Sequence, residues 1–188
     1  MTRTVQMILI GFVLMTAFSS FAAQEDTKMP VSFDIEKYQI EGSSLINQSR
    51  LEKILAPYTG KEKDFKTILN AREALEKAYY DRGYVTVEVL LPEQVVEKGV
   101  VHLQVKETVI GDIKIEGNRF FNETNILQSL PALQKNKAIN TKALSQNIKI
   151  ANESPARKMD VQLQKVTDAG QGNILATVGV RDEKPWKV

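Results

Sequence analysis

Hydrophobic and polar positions in the first half of the chain predict a strand, two helices and two more strands. The first strand covers residues 35–40 and ends in a turn at Gly42, where glycine can adopt a positive φ. The last two strands alternate apolar with polar side chains over residues 85–91 and 101–106. This alternation predicts that one face of each strand lies on a core.

Two helices are predicted between these strands. Residues 49–52 match a capping box, which predicts the start of a short helix that Pro57 ends. The buried face of this helix would carry three apolar side chains: Leu51, Ile54 and Leu55. A longer helix is predicted at residues 65–82, with Asp64 as its N-cap and Gly83 just past its end. Its apolar residues recur at intervals of three and four, which indicates one buried face.

The start of this pattern recurs later in the chain. Residues 35–42 align with residues 110–117, and both segments end in Ile-Glu-Gly, at an offset of 75 residues. The same offset aligns three further pairs: Asn47 with Asn122, Leu51 with Ile126, and Leu55 with Leu130. A repeat of this length indicates two copies of one structural unit. The chain is therefore predicted to contain two tandem modules, at residues 31–107 and 108–183.

The second module follows the same order of elements. A strand that ends at Gly117 precedes a short apolar helix near Ile126 and a second helix at residues 141–152. Two strands are predicted at residues 161–166 and 174–180, and residues 168–173 have the composition of a turn. Neighbouring strands pair as hairpins, whereas the first strand reaches the sheet by a helical crossover. Each module is thus predicted to be an α+β domain in which two helices cover one face of a three-stranded mixed sheet.

The N-terminus has the features of a cleavable signal peptide. Arg3 gives it a basic start, residues 7–18 are apolar, and Ser20-Phe21-Ala22 fits the small-x-small cleavage pattern. The apolar run is shorter than the about 20 residues that a membrane-spanning helix needs. We expect a signal peptide at residues 1–22, a short lead at residues 23–30, and export of the remaining chain.

Composition excludes several kinds of site. The 188 residues include no cysteine and one histidine, His102, so thiolate metal sites and histidine-based relays are disfavoured. The net charge is +2 without a basic stripe, which argues against a nucleic-acid partner. No phosphate-binding loop, nucleophile elbow or zinc-protease motif is present. The sequence therefore predicts a protein that is not an enzyme, with no cofactor, no metal and no small-molecule substrate, in which His102 is solvent-exposed.

Several short motifs resemble a known family. They are YYDRGYVT at residues 79–86, LPEQ at 91–94, GVV at 99–101, ANESPARK at 151–158 and VRDEKPW at 180–186. Together they resemble the paired POTRA domains of two-partner secretion transporters, the ShlB/FhaC/HecB family of haemolysin activation and secretion proteins. The resemblance implies a periplasmic protein, associated with the outer membrane in the full-length family, that recognises an unfolded exoprotein.

The resemblance also implies an outer-membrane β-barrel as the second partner. Residues 184–188 resemble the start of the lead-in to that barrel, which is missing from this sequence. A fragment, a truncated gene product and a chain that works with a separately made barrel all fit the sequence. The alternative function is a scaffold or chaperone for outer-membrane protein assembly. A third possibility, an exported enzyme, is disfavoured by the missing site chemistry.

The edges of the predicted sheets are the candidate binding sites, because an edge strand offers unpaired backbone groups to an added strand. The resemblance implies the strand order 1-3-2, which leaves the second strand of each module at an edge. The first candidate edge consists of Tyr84, Val85, Thr86, Val87, Glu88, Val89, Leu90 and Leu91. The second consists of Asp160, Val161, Gln162, Leu163, Gln164 and Lys165. A neighbouring helix ridge is expected to bind the same exoprotein through Leu51, Ile54 and Leu55.

Three tyrosines near the first edge have two interpretations. Tyr79, Tyr80 and Tyr84 could form a cluster on which an exoprotein stacks. Tyrosines at the end of a helix and the start of a strand more often pack in the core and at its rim. Their pattern favours packing.

Overall fold

The computed structural model of the chain describes residues 32–168 and 171–184, all within one compact unit. The predicted signal peptide and short lead lie outside the described residues. So do residues 169 and 170 of the predicted turn and residues 185–188 of the predicted lead-in.

The described residues form eight strands and four α-helices. In chain order they are β1 (Ser32–Ile35), β2 (Lys37–Glu41), α1 (Gln48–Leu55), β3 (Gly60–Asp64), α2 (Phe65–Asp81), β4 (Val87–Leu90), β5 (Val100–Glu107), β6 (Ile110–Glu116), α3 (Glu123–Gln128), α4 (Thr141–Ala151), β7 (Arg157–Asp168) and β8 (Gln171–Asp182). One 3-10 turn, Ala56–Tyr58, follows α1 and contains Pro57.

Two three-stranded sheets repeat one topology. The first sheet has the order β2-β5-β4, and the second has the order β6-β8-β7. In each sheet the central strand is parallel to the first strand and antiparallel to the hairpin strand. The predicted α+β class, the mixed sheets and the 1-3-2 strand order are therefore confirmed.

A small antiparallel sheet of β1 and β3 was not expected from the sequence. The predicted first strand is interrupted at Glu36, because the backbone N–H groups of Glu36 and Lys37 both donate to the Gly99 carbonyl, at 2.8 and 3.2 Å. β3 has the polar sequence GKEKD and only one half-buried position. Since it contributes almost nothing to a core, it lacks the alternation by which strands are predicted.

Each sheet packs its helices on one face around a separate hydrophobic core. In the first core, alternating residues of β4 and β5 meet α1 and α2: Leu51, Leu55, Ile68, Leu75, Tyr79, Val87, Val89, Val101, Leu103 and Val105. In the second core, β6, β7 and β8 meet α3 and α4: Ile110, Ile126, Leu144, Met159, Ile174, Ala176, Val178 and Val180. The repeat pairs Leu51 with Ile126 and Leu55 with Leu130 are all buried.

Helix ends agree with the repeat and correct one sequence expectation. Asp64 caps α2 as predicted, because its side chain accepts the Thr67 N–H. The cap of α1, however, is Asn47 and not the predicted Ser49; the Asn47 side chain accepts the Arg50 N–H. Asn122, the repeat partner of Asn47, caps α3 in the same way. An asparagine needs no glutamate three residues later to cap a helix, which the capping-box pattern overlooks.

The carboxyl end of α2 meets the amino end of α4. The Arg82 carbonyl accepts from Asn140 Nδ2 at 2.8 Å, and the Gly83 carbonyl accepts from Thr141 N at 2.9 Å and Thr141 Oγ1 at 3.0 Å. Carbonyl groups at a helix end lack partners within the helix. This joint, formed by residues 81–83 and 140–142, supplies partners from the other predicted module. The division between residues 107 and 108 stays a prediction.

Candidate functional site

The outer edge of β4 is the first candidate site. β4 pairs with β5 on one side, and no described strand pairs with its other side. Val87 and Val89 point into the core, whereas Glu88 is exposed on the opposite face. The outward-facing backbone groups of β4 therefore lie between two faces of the sheet. One face covers the core, and the other is open to solvent.

Residues 84–86 do not belong to this strand, which corrects the predicted extent of the edge. Gly83 follows the end of α2 with a φ of +92°, and its N–H donates to the Tyr80 carbonyl. The Tyr84 N–H donates to the Tyr79 carbonyl at 3.0 Å. These two bonds form a Schellman motif, which reverses the chain direction. Tyr84, Val85 and Thr86 complete that reversal as a turn, and Leu91 lies just after β4.

A groove of about 330 Å³ runs between β4 and α2. Aromatic and aliphatic side chains line it together with charged residues of α2: Tyr80, Tyr84, Val85, Val87, Glu73, Glu76 and Lys77. Tyr80 is 62% exposed and Val85 is 46% exposed. The groove therefore offers apolar surface next to the start of β4, at Val87.

The three tyrosines have different environments. Tyr79 is fully buried in the first core, where its hydroxyl lies 2.6 Å from Ser43 Oγ. Burial is the main cause that raises the pKa of Tyr79. Tyr84 packs at the rim of the core, and Tyr80 projects into the groove. The packing interpretation is therefore correct for Tyr79 and Tyr84, whereas Tyr80 remains available for contact.

The predicted helix ridge offers little exposed surface to a client, because its apolar side chains face the core, as the sequence pattern of α1 predicts. Leu51 and Leu55 are each only 2% exposed, and Ile54 is half-buried against the same core. α1 also lies beside the opposite edge of the sheet from β4, because it lines a separate groove with the edge strand β2. Leu51 and Leu55 pack in the core, since the short helix has a single apolar face and that face is turned to the sheet.

The outer edge of β7 is the second candidate site. β7 pairs only with β8 among the described strands, and its residues from Asp160 to Lys165 are exposed or half-buried. The Lys165 ammonium lies 2.6 Å from the Glu88 carboxylate of β4. This exposed ion pair brings the two candidate edges close to each other, a contact that periodicity alone does not predict.

A carboxylate anchors the turn after the first strand of each module. Glu107 Oε1 accepts the N–H groups of Ser44 and Leu45 at 2.8 and 3.0 Å. Asp182, offset by 75 residues, accepts the N–H groups of Arg119, Phe120 and Phe121 at 2.9–3.0 Å. Sequence reasoning missed both anchors, although extending the repeat alignment to residues 107 and 182 would have paired two acidic residues.

The Asp182 anchor predicts a pH-dependent stability. Loss of hydration raises the pKa of the Asp182 carboxyl, but hydrogen bonds from Phe121, Phe120 and Arg119 lower it further, so that the net pKa lies below 3.8. Its stabilising effect is therefore complete above pH 3.8 and lost as the pH falls through the lower pKa of the folded state. We expect Asp182→Asn to destabilise the second sheet at neutral pH and to weaken its acid dependence in urea unfolding.

The control for this prediction is Glu153→Gln, which removes an exposed carboxylate beyond α4. Asp64 and Asp112, whose pKa values are also lowered, contribute the same acid-dependent background to both variants. If both variants lose stability with acid in parallel with the parent chain, Asp182 is not the anchor that titrates.

Potential metal ligands are dispersed over the described residues. Those residues contain no group of three or more His, Cys, Asp or Glu side chains that could hold a metal ion. His102 is half-buried and not fully exposed as expected, since the Gln94 side chain bonds the His102 backbone N–H and carbonyl at 2.7 and 2.8 Å. None of the described helices combines the length and apolar character needed to cross a bilayer.

Comparisons with known proteins agree with this geometry. The ShlB-type POTRA domain family matches residues 33–108. The "Outer membrane transporter CdiB" of Escherichia coli O6:K15:H31 is 21% identical over 131 residues, which are 70% of this chain and 22% of that protein. The chain thus spans about a fifth of the length of the curated relatives it matches.

Solved structures share the fold. "CdiB from Escherichia coli" superposes with a TM-score of 0.65 at 18% identity, over 81% of this chain and 28% of that one. "CdiB from Acinetobacter baumannii" gives 0.62 at 15% identity, over 81% and 30%. The N-terminal domain of Omp85 from Thermosynechococcus elongatus gives 0.61 at 20% identity, over 80% and 67%. Residues 33–108 therefore match the ShlB-type POTRA domain, and the chain is similar in sequence and fold to part of the CdiB outer membrane transporters.

Proposed function

We propose that this chain recognises an unfolded exoprotein in the periplasm and delivers it to an outer-membrane β-barrel in two-partner secretion. The observation that carries the proposal is the outer edge of β4, with which no strand among residues 32–168 and 171–184 pairs, next to the groove formed with α2. Homology to the CdiB outer membrane transporters supports the transport setting. A solved Omp85 fragment of the same fold, described as part of a periplasmic domain, supports the compartment.

The proposed recognition step is addition of an extended client segment to β4. Backbone groups of the segment would pair with the outward row of β4, and every second side chain would enter the groove beside Tyr80 and Val85. Each such hydrogen bond contributes only about 0.5–1.5 kcal/mol net. After the cost of ordering the client, a dissociation constant of roughly micromolar to millimolar follows. Weak binding suits transport, because the client has to be released.

The second edge extends this proposal. β7 presents a longer row of outward backbone groups than β4, and the ion pair between Lys165 and Glu88 brings the two edges together. A client strand that leaves β4 would meet another strand edge close by. No covalent step and no cofactor is required, so the chain acts as a binding module.

A role in outer-membrane protein assembly is the alternative. The Omp85 N-terminal domain, which has this fold with a TM-score of 0.61, favours it. The two functions differ in the client. A secretion module binds the unfolded start of an exoprotein, whereas an assembly scaffold binds unfolded strands of outer-membrane proteins.

Site-specific disulfide trapping tests the proposed edge. The chain has no cysteine, so a single introduced thiol reports one position. We expect Glu88→Cys on β4 to trap a client segment that carries one cysteine. Gln39→Cys is the matched control, because it is an exposed position on β2 at the opposite edge of the same sheet. Trapping at residue 88 should exceed trapping at residue 39 by about tenfold, the ratio that corresponds to about 1.4 kcal/mol.

Equal trapping at both positions, or preference for residue 39, would contradict docking on β4. Lys165→Ala is a second control, because Glu88→Cys also removes the exposed ion pair with Lys165. If Lys165→Ala alone abolishes client binding, the ion pair and not the strand edge accounts for recognition.

Export is a separate prediction. The precursor should lose about 22 residues, because the small-x-small pattern ends at Ala22 and the apolar run is shorter than a membrane span. Mass spectrometry of the periplasmic fraction measures the cleavage site. A protein that retains Met1 or resists alkaline extraction from the inner membrane would contradict it.

A further inference from the structure

One end of the second sheet carries a basic cleft of about 700 Å³. Cations and carboxylates from the turn after β6, the start of β7 and the end of β8 line it: Arg119, Arg157, Lys158, Arg181, Asp182 and Glu183. Four of these six side chains are cationic. The basic cleft is therefore a local concentration of positive charge in a chain with a net charge of only +2.

The Asp182 carboxylate is already committed to the fold. It accepts three backbone N–H groups of residues 119–121, and no ion pair between it and a cation of the cleft is present among the described residues. No ion pair in the described part of the chain involves Arg119 or Arg181. The positive charge of the cleft is thus only partly balanced from within.

Two of the four cations have structural partners. The guanidinium of Arg157 donates to Asn125 and Ser129 and lies 5.1 Å from the centre of the Phe121 ring. Lys158 donates to the Asn152 carbonyl. Arg119 and Arg181 are exposed, and no hydrogen bond of either side chain was found among the described residues. They are the groups available to a partner.

The basic cleft lies at the end of the second sheet that points away from the first core. β6 begins at the junction with the first module, where the Ile174 N–H of β8 bonds the Val109 carbonyl. β6 and β8 then run in parallel, and the cleft is at their far ends, near Gly117 and Asp182. Seven residues of β6 separate the two ends by about 23 Å.

An exposed aromatic residue stands beside the free cations. Phe120, the neighbour of Arg119, is 48% exposed although its backbone N–H is fixed on Asp182. The turn held by Asp182 thus presents an exposed apolar ring next in sequence to the exposed cation Arg119. Cations next to an exposed aromatic ring match a membrane surface, where the ring enters the interface and the cations meet lipid phosphates.

We propose that this end of the second sheet docks on the anionic phospholipid head groups of a membrane surface, through Arg119, Arg181 and Phe120. The proposal rests on the proposed function, because that function brings the chain to the outer membrane. The contact would orient the molecule with the client edge of β4 directed away from the lipid. Docking needs no change in the fold, since the turn is already held by Asp182.

Vesicle co-sedimentation of the processed chain tests this proposal. Vesicles of equal parts phosphatidylethanolamine and phosphatidylglycerol supply negative charge, and pure phosphatidylcholine vesicles supply none. We expect partitioning onto the first kind that weakens with salt. Each basic residue near such a surface contributes about a fivefold factor, so Arg119→Ala with Arg181→Ala should lower the partition coefficient by about 30-fold.

Matched variants keep the test specific. Lys61→Ala with Lys66→Ala removes the same charge from exposed positions of the first module and should change partitioning less than about twofold. Phe120→Ala should lower partitioning severalfold without changing its salt dependence. None of these substitutions removes the backbone N–H groups that bind Asp182, and circular dichroism confirms that each variant is folded.

Three results would overturn the proposal: equal partitioning onto both kinds of vesicle, equal losses in the Arg119/Arg181 and Lys61/Lys66 variants, or full displacement by millimolar glycerophosphate. The last result would indicate a site for free phosphate. Trapping of client at residue 88 is measured without lipid, so its success or failure is independent of the vesicle result.

Discussion

Gly42→Val and Gly117→Val are each expected to destabilise their own sheet by about 1–3 kcal/mol, the usual cost of a strained backbone position. Gly42 has a φ of +78° and Gly117 a φ of +84°, a region that β-branched residues rarely adopt. A Cβ at position 42 would lie 2.3 Å from the Val105 carbonyl oxygen, and one at position 117 would lie 2.4 Å from the Val180 oxygen. Because these contacts are with backbone atoms, no side-chain rotation relieves them.

Urea unfolding followed by amide signals of each sheet measures these effects separately. The matched controls are Glu41→Val and Glu116→Val, which introduce the same side chain one residue earlier, at exposed strand positions where valine is favourable. The controls should unfold close to the parent chain. If the glycine variants also unfold like the parent, the two turns do not require glycine.

Asn140→Ala is expected to uncouple the two sheets. The Asn140 side chain accepts the Ala143 N–H at 3.0 Å as the cap of α4, and it donates to the Arg82 carbonyl at the end of α2 at 2.8 Å. Loss of a helix cap costs about 0.5–2 kcal/mol of stability. Loss of the bond to Arg82 also leaves the Arg82 carbonyl without the Asn140 donor. We expect the second sheet to lose stability and the two sheets to unfold at separate urea concentrations.

Asn122→Ala separates capping from coupling. Asn122 caps α3 through the Asn125 N–H, and no hydrogen bond of its side chain to residues 32–107 was found in the described chain. Asn122→Ala should destabilise the second sheet by about as much as Asn140→Ala does. The difference between the urea concentrations at which the two sheets unfold should, however, stay as in the parent chain. If the Asn140 and Asn122 variants behave alike, the joint does not couple the sheets.

Local signals predicted much of the fold. Asp64 and Gly83 mark the two ends of α2 as expected. A helix cap and a left-handed residue after the helix depend only on residues within one turn of the helix end, so the local sequence predicts them. The repeat aligned residues that prove equivalent in the structure, including the helix caps Asn47 and Asn122. Alignment with the first module supported the strands and helices predicted for the second, although the apolar periodicity of the second is weak.

Features that depend on distant partners were not predictable from periodicity. β3 exists through pairing with β1, and its residues bury almost nothing. The apolar ridge of α1 was predicted both to face the core and to bind a client, and an apolar stripe alone does not reveal which of the two it does. The β4–α2 groove and the ion pair between Glu88 and Lys165 likewise arise only when separate elements meet.

The central claim is that an unfolded client adds a strand to β4, and an amide chemical-shift titration tests it most directly. The labelled chain is titrated with the unfolded N-terminal segment of an exoprotein. The account predicts shifts concentrated on β4 and on the groove residues Tyr80, Tyr84 and Val85, with a dissociation constant of roughly micromolar to millimolar. Shifts concentrated instead on β2 and α1, at the opposite edge of the sheet, would contradict it.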